Sequence, residues 1–146
     1  MQNRKQRGCR LAAFVVVLAL ASSAFASGGR DFAGYYAINH AQQVGDNVTL
    51  TLTLQIFNHS DADIKNATVA LHHAQDTAVQ GSYAVIKSFP DQRDVRLSRE
   101  FTVPVRDFER WKMGTPPILT VRYKDAHGTT WTKSIQLSRR AELPTS

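Results

Sequence analysis

Apolar residues occupy every second position over residues 48–57: Val48, Leu50, Leu52, Leu54 and Ile56 alternate with Thr49, Thr51, Thr53, Gln55 and Phe57. Successive side chains of a strand point to opposite faces, so the first set lines a core and the second faces water. The pattern predicts a long, half-buried strand. The run Asn58-His59-Ser60-Asp61-Ala62-Asp63 is turn chemistry, after which Ala67, Val69 and Leu71 resume the two-residue period opposite Thr68, Ala70 and His72. Weaker versions follow at residues 83–89, at Val95, Leu97, Phe101 and Val103, at Leu119, Val121 and Tyr123, and at Trp131, Ile135 and Leu137, with residues 32–38 ahead of them. About seven strands at this spacing predict an all-β fold, an immunoglobulin-like antiparallel β-sandwich.

One helical segment interrupts the series. In residues 107–113, Asp107 is placed to cap, Phe108 and Trp111 lie three apart, and Gly114 with Pro116 and Pro117 ends the run. It reads as a short plug between the fifth and sixth strands. Asp125-Ala126-His127-Gly128 separates the last two strands, with Gly128 suited to positive φ in a hairpin loop. Arg99 and Lys133 interrupt inward-facing apolar sets, which marks their strands as edges where a charge discourages pairing with another sheet.

The first 26 residues carry a different pattern: basic Arg4, Lys5, Arg7 and Arg10, an apolar run over residues 11–20, and small residues ending Ala24-Phe25-Ala26. This predicts a secretory signal peptide cleaved after Ala26. The apolar run is too short to span a bilayer, which takes about 20 residues. Cys9 precedes it, whereas a lipidated cysteine follows such a run. The expected organisation is a signal peptide at 1–26, a β-sandwich domain at 27–138 and a flexible tail at 139–146, with an extracytoplasmic location (periplasmic or secreted) and no membrane span after cleavage.

Cleavage changes the charge picture. The whole chain has 18 Lys and Arg against 12 Asp and Glu and a net charge of +6. Four of the 18 and none of the 12 fall in the signal, which leaves 14 against 12, a net of +2. The basic excess that would suggest a nucleic-acid partner belongs to the leader. Removing Cys9 leaves no cysteine, so stability comes from packing in one core rather than from disulfides.

Residues 50–71 resemble bacterial extracytoplasmic immunoglobulin-like modules of the CARDB and NEW3 kind. Those modules share a strand ending in Asn, a turn with Gly or Ser, an acidic residue and a short apolar strand, matched here by Asn58, Ser60, Asp63, Ala67 and Val69. Residues 121–131 are similar to their final hairpin. The resemblance implies the sandwich fold and a non-catalytic role in binding or spacing, and it carries no site residues. The chain departs from antibody domains in having no cysteine pair.

Candidate chemistry is sparse. His72 and His73 are adjacent on a predicted strand, so their rings point to opposite faces and do not share a metal. His40, His59 and His127 fall in loops, where they read either as solvated turn histidines or as ligands converging on zinc or copper. Asp46, Asp61 and Asp63 read either as turn formers or as oxygen ligands for calcium, which takes six to eight oxygens. There is no Gly-x-Ser-x-Gly, no cysteine nucleophile and no His-Glu-x-x-His, and Glu100, Glu109 and Glu142 form no evident pair. No catalytic, cofactor or metal residue is assigned, and no enzyme activity is expected. Asn47, Asn58 and Asn66 begin glycosylation sequons.

Aromatic residues remain. Phe57 has the solvent parity of its strand, Tyr35 and Tyr36 point to opposite faces, and Trp111 is in a connection. Tyr35, Phe57 and Trp111 are therefore the candidate contacts for a ligand or partner. Two functions fit: a module that binds or spaces protein partners in the cell envelope, for instance by lengthening a partner's sheet through an edge strand, or a carbohydrate-binding module that uses the exposed rings.

Overall fold

The computed structural model describes residues 31–143 apart from Asp76. The expected signal peptide and residues 144–146 lie outside the described residues. The alternation over residues 48–57 becomes β2 (Asn47–Asn58), in which Val48, Leu50, Leu52, Leu54 and Ile56 are at most 1 % exposed while the intervening side chains are half-buried. Full burial of each such side chain contributes about 1.5–3 kcal/mol. The strand sits in mid-sheet because its two neighbours present matching periods. Before it comes β1 (Phe32–Val44), joined by a two-residue hairpin with Gly45 at φ 60°.

The remaining strands are β3 (Ile64–His72), β4 (Val79–Ser82), β5 (Ile86–Phe89), β6 (Asp94–Pro104), β7 (Ile118–Lys124), β8 (Thr130–Ser134) and β9 (Gln136–Arg139). They form two sheets, ordered β6-β2-β1-β9 and β4-β3-β7-β8, with β5 also pairing with β3. The core lies between them, and Tyr36, Leu52 and Leu54 from one sheet and Val69, Leu71 and Val121 from the other are fully buried. The fold is an all-β sandwich.

It has nine strands instead of about seven, because β4 precedes the residues expected to be extended and the last predicted strand is cut in two. Residues 83–89 were expected to be continuous. Instead Tyr83 turns inward, its hydroxyl donating to Leu52 O across the sandwich (3.0 Å) and its N–H to Val69 O, so the ladder on β3 lapses between β4 and β5. The run through Trp131, Ile135 and Leu137 breaks at the buried Ile135, whose N–H donates to Leu119 O. There the chain crosses from one sheet to the other: β8 pairs with β7, and β9 pairs with β1. Trp131, opposite Tyr123 on the edge strand β8, is 37 % exposed, its indole N–H donating to Asp125. The β1–β9 pairing is parallel, the one departure from an antiparallel sandwich among the described pairings.

The helix is α1 (Val105–Lys112), which begins as β6 ends. Asp107 does not cap it. Pro104 holds the N-cap position with no side-chain bond, and Asp107 is buried in the first turn, where a carboxylate complements the helix dipole. The C-terminal signal is accurate: Gly114 (φ 96°) donates to Trp111 O and Thr115 N–H to Arg110 O, which satisfies the last carbonyls of the helix. Arg99 and Lys133 lie on β6 and β8, both edge strands. Within the expected flexible tail, Arg139 completes β9 and Leu143 is 5 % exposed, so residues as far as 143 pack on the domain.

Candidate functional site

A groove of about 580 Å³ runs over the outer face of the four-stranded sheet where β1, β2 and β9 meet. Strand register builds it. Ala33 pairs with Phe57 and Tyr35 with Gln55, so Tyr35 and Phe57 are diagonal neighbours on the outer face. On the other side of β1, Ser138 lies opposite Tyr35 and Gln136 opposite Ala33. Gly34 forms the floor, where β1 presses so closely on β2 that an added Cβ would lie 1.9 Å from Gln55 O.

The rings in this groove make a row. Tyr35 meets Phe57 edge to face, with centroids 6.3 Å apart and planes at 88°. Phe57 and His59 are parallel within 4°, with centroids 6.1 Å apart. The guanidinium of Arg140 stacks on Tyr35, its Cζ 3.6 Å from the ring centroid, a cation–π contact. His59 is held beside Phe57 because Asn58 turns inward. The Asn58 amide, 0 % exposed, donates to Ala62 O and Phe89 O (2.9 Å each) and accepts from the Ser60 N–H and hydroxyl. As a buried, bonded side chain Asn58 is closed to glycosylation in the folded chain.

Of the three expected contacts, the structure brings Tyr35 and Phe57 together and removes Trp111. The Trp111 ring is 4 % exposed, packed in the core under α1, and its carbonyl accepts a 2.8 Å bond from the buried Tyr36 hydroxyl. Burial holds the Tyr36 hydroxyl above its ordinary pKa, so it remains a donor. Trp111 therefore offers no ring to a ligand.

Among the described residues, no group of three or more His, Cys, Asp or Glu side chains is placed to hold a metal. The turn aspartates are engaged locally: Asp63 accepts the Asp91 N–H (2.9 Å), and Asp91 accepts the Asp61 N–H (3.2 Å). The groove thus offers an apolar wall of rings and Leu137, with His59, Gln136 and Ser138 as polar groups. That equipment is of a kind that can seat a side chain. Sequence reading missed Arg140, Gln136 and Ser138, whose place depends on a parallel pairing that leaves no local mark.

No family model matches the chain, and no curated protein does. Among solved structures it is similar to the exo β-N-acetylglucosaminidase of glycoside hydrolase family 20 from Vibrio harveyi, solved with N-acetylglucosamine. The identity is 10 % and the TM-score 0.44, and the match covers 79 % of this chain but only 19 % of that enzyme. A likeness of that size assigns neither activity nor ligand.

Proposed function

We propose that the protein is an exported, non-catalytic immunoglobulin-like module that binds an extended segment of a protein partner in the cell envelope along β9. One juxtaposition supports this reading: an edge strand whose first three residues are uncharged, ahead of Arg139, borders a groove that can take a side chain. The other edges are defended. Asp94, Arg96, Arg99 and Glu100 lie on β6, Lys133 on β8 and Lys87 on β5, while β4 is tied to β6 by Gln80, whose amide donates to Thr102 O (2.7 Å). The first three residues of β9 are Gln136, Leu137 and Ser138. Arg140 N–H donates to Tyr36 O, so by alternation the backbone of Ser138 also turns to β1 and that of Leu137 turns outward. An added strand would bond there, with the Tyr35–Phe57 groove beside it.

The carbohydrate reading loses support. It relied on a shared plane of rings, whereas Trp111 is buried and Tyr35 meets Phe57 at 88°.

The test is affinity capture from an envelope extract, with hydrogen exchange on the recovered complex. The expected result is a stoichiometric protein that protects the Leu137 amide, is lost with Gln136→Lys and Ser138→Lys, and is retained with Ser98→Lys on β6. Equal capture by all variants, or protection confined to another edge, overturns the reading.

A further inference from the structure

The outer face of the five-stranded sheet carries a second surface, unrelated to the β9 groove. Two hollows of about 490 and 370 Å³ share Thr68, Arg122 and Thr130, and so form one trough across β3, β7 and β8. Its floor is hydroxyl-rich: Thr68 on β3, Thr120 on β7 and Thr130 and Thr132 on β8. Its cations are Lys65, Arg122 and Lys124, all exposed. No Asp or Glu lines either hollow. None of the three cations forms a salt bridge among the described residues.

Placement of the cations follows from the strands. Arg122 and Lys124 are two positions apart on β7, hence on one face about 7 Å apart. Lys65 joins them through an irregularity: Ile64 and Ala67 both face the core although three positions apart, and Asn66 between them has φ 53°. This local change of backbone conformation leaves Lys65 and Asn66 both exposed at the rim.

We infer that this trough binds an acidic polysaccharide. β3 and β7 have partners on both sides and offer no open backbone to an added peptide strand, and the β8 edge carries Lys133, so recognition falls to hydroxyls and cations. A chain that is both hydroxylated and anionic matches both. A neutral glycan leaves the cations unused, and the trough has no Phe, Trp or exposed Tyr ring for it: Tyr123 is buried, and the His72 imidazole is tied through both nitrogens to Thr77 and Thr120. Three cations also fall short of the four to eight that mark an anionic-membrane patch and of the six to ten phosphate contacts typical of duplex DNA binders. An acidic peptide leaves the threonines without a role.

The test uses the intact protein and measures binding to polygalacturonate at low salt beside dextran, poly-glutamate, a duplex oligonucleotide and vesicles rich in phosphatidylserine. The expected result is preference for polygalacturonate, weakened about tenfold by Arg122→Gln with Lys124→Gln and unchanged by Arg93→Gln with Arg110→Gln, which removes the same charge elsewhere. Thr132→Val should weaken polygalacturonate binding several-fold and leave residual poly-glutamate binding unaltered, which separates hydroxyl recognition from ion exchange. Equal loss with both double variants, equal or tighter binding to any other probe, or no binding at all overturns the inference. Because the trough and the β9 edge lie on opposite sheets, loss of envelope capture with Ser138→Lys leaves this result untouched.

Discussion

On its outer side the four-stranded sheet ties its polar side chains to one another. Thr49 shares a hydrogen bond with Thr102 (3.0 Å) and Thr53 with Ser98 (3.1 Å), while the Gln55 amide donates to Asp94 (2.8 Å). The five-stranded sheet has a single such tie on its outer face among the described residues. His72 Nδ1 donates to Thr77 O (2.7 Å), which leaves Nε2 to accept from the Thr120 hydroxyl (2.8 Å). The two sheets follow the same inside-outside alternation and bury the same kinds of residue, so that pattern does not distinguish them. Cross-strand register does: it decides whether outward polar groups satisfy each other or face solvent. The β2–β6 half of the first face, already bonded to itself, has little left for a ligand, and a face whose cations and most of whose hydroxyls lack such ties has much.

Equal inner faces predict equal costs for truncation. Leu54→Ala in β2 and Leu71→Ala in β3, both 0 % exposed, should each cost about 3 kcal/mol in urea unfolding. A clear gap between them would mean that one sheet carries the core. The glycines should differ. A Cβ on Gly34 meets the backbone oxygen of Gln55 at 1.9 Å, whereas on Gly81 in β4 it meets the Phe101 ring edge at 2.9 Å, a side chain able to swing aside. Gly34→Ala should cost about 2 kcal/mol or more, and Gly81→Ala under about 1 kcal/mol; similar values would erase this contrast between the sheets.

Outer-face effects should be smaller. Thr53→Val removes a cross-strand bond and should cost about 0.5–1 kcal/mol, while Thr132→Val should leave the melting temperature unchanged. The smallest effect is at the β7–β8 hairpin. The Trp131 indole N–H, aided by the Thr129 and His127 backbone N–H groups, holds the Asp125 carboxyl below its ordinary value of 3.8. A lowered folded pKa gives stability that is present above the unfolded value and fades as pH falls through the folded one. Asp125→Asn should therefore lower the melting temperature slightly near neutrality and converge on the parent in strong acid; a constant offset down to about pH 3 would mean the carboxylate's charge is not the cause.

Much of the sandwich was legible because period two specifies a face. β2, and β3 from Ala67 onward, follow their patterns position by position, and the charges at Arg99 and Lys133 mark true edges. What period two leaves open is which strand lies next door. The split at Tyr83 arises because one hydroxyl reaches a carbonyl on the opposite sheet, and the split at Ile135 because one run serves both sheets. Turn chemistry at Asn58 does not say that its amide faces inward, and the spacing of Phe108 and Trp111 gives a helix without saying which ring is buried. Net charge concealed the basic trough, since a sum of +2 over residues 27–146 is silent about where the cations gather.

The parallel pairing of β1 with β9 also bears on when this sheet can form. Tyr35 lies beside Ser138, about a hundred positions later. Contacts of such separation close last and slow the whole reaction, because the chain's freedom is lost before the contact rewards it. A chain made from its N-terminus exposes one flank of β1 until β9 has emerged, so the four-stranded sheet is not completed before then.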